Sequence, residues 1–234
     1  MNKLCGGVSR FQATPVIFLA CKVFEGIVDS SNQVTVCFID YGLHSVPRLL
    51  KKTLQQRIDN IQKPSMVVLG YGLCGNGLNE IQAGKHTLLV PKADDCVALF
   101  MGSRQRYLDQ FSKTPGTYYL TKGWLEVGSD PLSEYEKLFS KYGQETADWL
   151  MEQQYQNYKR LTFVAHSQDD FITNRPRIMK VADYCQRFGM EYDEYLGCKD
   201  FLDQISGILT SQQAVPPDFI VVPPGVVLKQ EMFL

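Results

Sequence analysis

Four short apolar runs, each closed by a cysteine, a histidine or a glycine-rich loop, constrain this chain more than any other feature. Residues 15–20 (PVIFLA) run straight into Cys21, and residues 34–39 (VTVCFI) end in Asp40-Tyr41-Gly42-Leu43-His44. Residues 66–69 lead through Gly70 into Tyr71-Gly72-Leu73-Cys74-Gly75-Asn76-Gly77. Residues 86–90 (HTLLV) stop at Pro91, ahead of Asp94-Asp95-Cys96. Runs this short and this continuously apolar read as strands buried on both faces, the pattern of a parallel sheet.

Helical stretches separate them. Leu49, Leu50, Leu54, Ile58 and Ile61 recur at helical spacing over 49–61; residues 79–83 predict a short helical piece ending at Gly84, and residues 97–111 a longer helix. A further strand at 116–121 (GTYYLT) leads to Trp124. In the second half, residues 131–159 predict one or two amphipathic helices broken at Gly143, followed by a strand at 161–165. A helix at 177–188 closed by Gly189, another at 199–209 and a last strand at 218–222 (DFIVV) complete the order. The alternation predicts an α/β fold with a mostly parallel sheet, helices on both faces and a Rossmann-like arrangement. Organisation is a single domain over 1–234 or two lobes, 1–128 with the Cys/His residues and 129–234.

Composition limits the function classes. The chain has 234 residues, a formal net charge of −1, 44% hydrophobic and 21% charged residues. Without a basic excess to neutralise phosphates, nucleic acid is not an expected partner. No apolar stretch approaches the roughly 20 residues that span a bilayer, so no membrane association is expected. The first residues lack the apolar core of a secretory signal. Seven cysteines, odd in number and irregular in spacing, argue against a disulfide framework and for a reducing, cytoplasmic setting.

Ligands in open parallel sheets bind beyond the carboxyl ends of the strands. Four metal-capable side chains, Cys21, His44, Cys74 and Cys96, fall there, each after one of the successive strands. Neighbouring strands lie about 4.8 Å apart, so their loops can converge. Sulfur and imidazole favour zinc, or another transition metal such as iron, cobalt or nickel. Four protein ligands make a structural site; three with an open position make a catalytic one. Core packing is the competing role for each cysteine.

The loop from Tyr71 through Gly72, Cys74, Gly75, Asn76 and Gly77 can turn its amides to an anion or simply turn tightly. Asp95 or Asp94 can orient a metal-bound group, or cap the following helix. Arg104 and Tyr118 can line a pocket for an anionic or flat ligand, or serve as a surface arginine and a core tyrosine. Cys74 or Cys96 as nucleophile with His44 as base is a metal-free alternative.

The segments Tyr71-Gly72-Leu73-Cys74-Gly75-Asn76-Gly77, Pro91-Lys92-Ala93-Asp94-Asp95-Cys96, Met101-Gly102-Ser103 and Pro115-Gly116-Thr117-Tyr118-Tyr119 up to Trp124 together resemble the domain of unknown function 1638 family. Lys92 departs from the arginine expected there. The motif positions match Cys74, Cys96 and Asp94-Asp95, and extend to Cys21 and His44. Members of the family occur in anaerobic bacteria and methanogenic archaea, often beside corrinoid-dependent methyltransferase systems. The resemblance therefore implies one-carbon metabolism, with a corrinoid protein or methyltransferase as partner and a small thiol or corrinoid-derived ligand. It is compatible with a metal-dependent methyl-transfer enzyme or accessory protein, or with a non-catalytic metal or cofactor carrier.

Overall fold

The computed structural model describes residues 14–26, 28, 34–40, 42–43, 46–210 and 215–234. Strands β1 (Val16–Cys21) and β2 (Val34–Ile39) pair in parallel, and helix α1 (Pro47–Asp59) returns the chain to β3 (Met66–Gly70) on the other side of β1. β4 (Thr87–Pro91) adds in parallel to β3. Phe18, Leu19 and Ala20 of β1 are all buried, as are Val67, Val68 and Leu69 of β3 and Leu88, Leu89 and Val90 of β4. Burial of consecutive residues means that both faces of these strands are covered. Leu50, Leu54 and Ile58, one turn apart along α1, supply part of the cover.

The stretch expected as one helix over 97–111 is two. Helix α2 (Cys96–Met101) ends at Gly102, whose φ of 94° belongs to the left-handed region, and Ser103 caps α3 (Arg104–Lys113). Its missing side chain also leaves room for Cys198, whose Cβ would lie 2.6 Å from a Cβ at residue 102. All six α2 residues are buried, while no residue of α3 is fully so.

The chain then builds a second, three-stranded parallel sheet. It comprises β5 (Thr117–Thr121), β6 (Arg160–Ala165) and β7 (Glu191–Leu196), in that order. Between β5 and β6 lie α4 (Lys122–Glu126), α5 (Pro131–Tyr142) and α6 (Gln144–Tyr155), the last two parted at Gly143 as the sequence predicts. Helix α7 (Gln168–Cys185) connects β6 to β7 and starts well before the predicted residue 177, with Ser167 as its cap. A second apolar core forms where Leu161 and Phe163 meet Met151, Ile178 and Val181.

Helix α8 (Asp200–Leu209) returns to the first core, burying Phe201, Leu202, Ile205, Ile208 and Leu209. Strand β8 (Phe219–Val222) closes the first sheet antiparallel to β4, giving the order β2-β1-β3-β4-β8. Sheet membership therefore follows the chain loosely: β5 belongs to the second sheet, and the last strand to the first.

Two expectations fail locally. Residues 79–83 are not a helical piece: Asn79 and Glu80 end a turn, Gln82 bridges antiparallel to Val227, Glu80 has φ 67°, and the amides of Glu80 and Ala83 donate to the carbonyls of Leu228 and Val226. Strand β7 (EYDEYL) has no apolar run to announce it. Among the described residues, no helix is long and apolar enough to cross a membrane.

Candidate functional site

The site begins with two loops that leave adjacent strands, β3 and β4. The amides of Leu73 and Cys74 donate to the carbonyls of Ala93 (2.8 Å) and Asp94 (2.9 Å), joining the loops edge to edge. Gly72 permits this approach: a Cβ there would stand 2.7 Å from the backbone N, Cα and C of Asp95. Just beyond, Cys74, Gly75 and Asn76 take φ values of 47°, 61° and 69°. A cysteine in that left-handed region is uncommon, and its conformation is held by the joined loops.

The turn aims Cys74 at Cys96, and their sulfurs lie 3.8 Å apart, both buried. Cys96 begins α2, and Asp95 caps that helix, its Oδ1 accepting from the amides of Val97 (2.8 Å) and Ala98 (3.2 Å). The other oxygen accepts from the Tyr107 hydroxyl at 3.1 Å. Burial pushes the Asp95 carboxyl above the ordinary carboxylate range, against these three bonds. Asp94 instead turns to Arg104, whose Nε lies 3.1 Å from its Oδ2.

Cys21, at the end of β1, faces the same space. Burial first, and the nearby Cys96 second, push its thiol from 9 up to about 12. The proton shared with Cys74, with burial behind it, raises Cys96 well above its usual value, while the Gly72 amide works the other way. Tyr71, 3% exposed, is raised by burial and then by Cys21, Cys96 and Cys74. Its phenol therefore stays protonated, and its buried oxygen has no hydrogen-bond partner among the described residues.

These groups form the floor of a cavity of about 470 Å³. Its walls come from elsewhere in the chain: Tyr107 and Phe111 on α3, Tyr118 and Tyr119 on β5, Trp124 on α4, and Tyr158 ahead of β6. The walls stand over the floor because α4 packs at the end of β1, where Gly123 lies against Val23. Asp40 and Asp95 are the described carboxylates in the lining, and no lysine, arginine or histidine is among the described lining residues. A larger, shallower groove of about 960 Å³ runs along α1 past Arg48, Lys51 and Lys229, and none of the thiols reaches it.

Of the residues singled out in the sequence, Cys21, Cys74, Cys96, Tyr71, Gly75, Asp95 and Tyr118 line the cavity. Gly72 sits beneath it as the spacer between the loops, and Asn76 is exposed on the turn. Arg104 is held by Asp94 outside the lining. His44 lies outside the described residues. Among the described residues, no group of three or more His, Cys, Asp or Glu side chains is close enough to hold a metal ion, so these residues contribute a thiol pair with Cys21 on the same floor. His166 is engaged elsewhere, its Nε2 2.8 Å from the Phe100 carbonyl and its ring stacked on Phe100.

Apart from Tyr118, sequence reasoning missed the ring wall. Tyr107, Phe111, Tyr119, Trp124 and Tyr158 carry no local mark that separates a cavity wall from a core. The dense aromatic spacing from 107 to 124 was the available signal.

Fold and site together define an α/β protein with a thiol-floored, ring-walled cavity at the carboxyl ends of a parallel sheet. The chain belongs to the family described as "Protein of unknown function (DUF1638)", whose family model matches residues 38–205. That span includes His44, Cys74 and Cys96 and leaves out Cys21 and β8. No curated protein and no solved structure matches the chain.

Proposed function

We propose that the cavity is a soft-metal site with Cys74 and Cys96 as thiolate ligands, Cys21 facing the same space and His44 following β2 in the sequence. The observation that carries the reading is the 3.8 Å separation of the two sulfurs. Two thiolates on one tetrahedral zinc, each about 2.3 Å from the ion, stand about 3.8 Å apart. The strand order adds support. In a sheet ordered 2-1-3-4 the chain reverses direction of growth between β1 and β3, and doubly wound, Rossmann-like sheets bind ligands above such a switch point. Cys21 follows β1 and Cys74 follows β3.

A bound ion of this kind lowers the pKa of a coordinated thiol or water and makes a nucleophile available near neutral pH. The chain's own residues do the rest. The Gly72 amide donates toward the Cys96 sulfur, and Asp95 fixes the start of α2 that carries it. Tyr71 keeps a neutral hydroxyl beside the thiols, able to donate one hydrogen bond to a charged group there. The aromatic wall keeps water off the sulfurs. In keeping with the family resemblance, the site serves corrinoid-linked methyl transfer in one-carbon metabolism, as an enzyme or as an accessory protein to a methyltransferase or corrinoid protein. A free-thiol site requires a reducing compartment, which is the reason for expecting the cytoplasm.

A metal-free cysteine enzyme is the less favoured reading, because burial raises Cys21, the hydrogen bond with Cys74 and then burial raise Cys96, and no lysine, arginine or histidine is among the described lining residues to take a proton. Metal analysis of anaerobically purified protein tests the proposal. The expected result is about one equivalent of zinc or a similar ion, lost in both Cys74→Ser and Cys96→Ser. Metal-free protein with one rapidly alkylated thiol overturns it.

A further inference from the structure

We propose that the space above the thiols takes a methylated ammonium cation, held by the aromatic wall. This rests on the cavity being a ligand site, and it names the class of ligand.

Three observations converge. The first is charge. Asp40 at the exposed rim and Asp95 within are the described ionisable carboxylates of the lining, and no cationic side chain stands among the described lining residues to offset them. Arg104, which the sequence offers for an anionic ligand, is committed to Asp94 outside the lining.

The second is the nature of the wall. Tyr107, Phe111, Tyr118, Tyr119, Trp124 and Tyr158 present ring surface to one space. Aromatic faces carry negative potential and attract cations, and cages of such rings are a recurrent way to bind quaternary ammonium groups. A methylated ammonium suits both needs, since its positive charge is spread under an apolar shell.

The third is ring geometry. Tyr107 and Tyr119 are inclined at 50° and Tyr118 and Tyr158 at 85°, while Tyr107 and Phe111 lie at 26° to one another. These are contacts between neighbouring rings of the wall, so the rings meet the space in more than one orientation, which suits a rounded group. The 470 Å³ of space is within the range of small-molecule sites and leaves room for a substituent beyond the ammonium.

The test compares choline with 3,3-dimethyl-1-butanol, which has the same shape without the charge, by calorimetry and by Trp124 fluorescence in a Trp149→Phe background. Tetramethylammonium serves as the minimal probe. The expected result is that choline binds at least about tenfold more tightly than the neutral alcohol. Phe111→Leu and Asp40→Asn, both at exposed positions, are each expected to weaken choline several-fold without changing the alcohol. Equal binding of choline and the alcohol, or binding of neither, overturns the proposal. Metal content measured on the same samples keeps the two readings apart. Cys74→Ser removes the ion but no ring, so discrimination between the probes should persist there. If metal is absent throughout and choline is still preferred, the cation site stands and the metal reading falls.

Discussion

The sulfur of Cys74 lies 3.8 Å from that of Cys96 across 22 positions of sequence, because the loops after β3 and β4 are hydrogen-bonded to one another. Gly72 makes that contact possible. A methyl group there meets three backbone atoms of Asp95 at 2.7 Å, and backbone in a joined loop has little freedom to move. Gly72→Ala is expected to destabilise the protein by about 2 kcal/mol and to separate the thiols. Urea midpoints and bound metal per chain, measured on the same variant, check this. A variant with unchanged midpoint and full metal content would show that the loops adjust independently.

Asp95 links the thiol loop to the cavity wall through one carboxylate. Its Oδ1 caps α2 and its Oδ2 holds Tyr107. Asp95→Ala is expected to cost about 2 kcal/mol, as a lost cap and a lost hydrogen bond. Tyr107→Phe is expected to cost about 1 kcal/mol. In a double-mutant cycle the two should couple by about 1 kcal/mol, since neither bond partner is useful without the other. Strict additivity in chemical denaturation would mean that the Tyr107 hydroxyl contributes nothing through Asp95.

The floor of the site was legible in the sequence, and of the walls Tyr118 alone. Cys21, Cys74 and Cys96 each follow a run of apolar residues, and a parallel sheet with both faces covered brings the ends of such runs to one rim. The walls depend on how the second sheet seats against the first. Tyr107, Tyr119 and Tyr158 converge only because α4 docks at the end of β1, and no periodicity near those residues records that docking. Strand β7 escaped for a different reason. It is an edge strand in which Tyr192 and Glu194 share one face, bonded to each other, and Glu194 pairs with Arg175, so neither an apolar run nor a two-residue alternation marks it. The break between α2 and α3 lies at Gly102-Ser103, a C-cap followed by an N-cap, whereas the apolar spacing on either side of it reads as one helix.

Close sulfurs also predict a redox response. A disulfide needs about 2.05 Å between sulfurs, so the pair must close by less than 2 Å from its 3.8 Å separation. With the ion removed by a chelator, diamide is expected to link Cys74 to Cys96, taking up the two electrons and two protons that the thiols release. Peptide mapping identifies the linked pair. Added zinc should protect both thiols, because coordinated sulfurs are not free to attack. Linkage at the same rate with zinc present would argue that the ion, if bound, sits elsewhere.

Cys21 and Cys185 make the metal-free fold sensitive to alkaline pH. Burial is the leading cause of the rise of both thiols from 9 to about 12. In the unfolded chain a thiol titrates near 8.5. The folded state therefore holds these protons more firmly, and the stability tied to them is complete below about pH 8.5. As the pH climbs toward 12 the unfolded chain ionises first and is favoured, so stability falls. At pH 10 the loss is about 2 kcal/mol for each thiol. Urea midpoints at pH 8 and pH 10, with chelator and reductant present, measure the fall. Tyrosines and lysines contribute to it as well, so the deciding comparison is Cys185→Ala. That substitution leaves a cavity and lowers stability at both pH values, but it removes one titrating thiol and should make the fall smaller by about 2 kcal/mol. A parent and variant that lose the same amount between the two pH values would mean that the Cys185 thiol ionises as readily in the folded core as in the open chain.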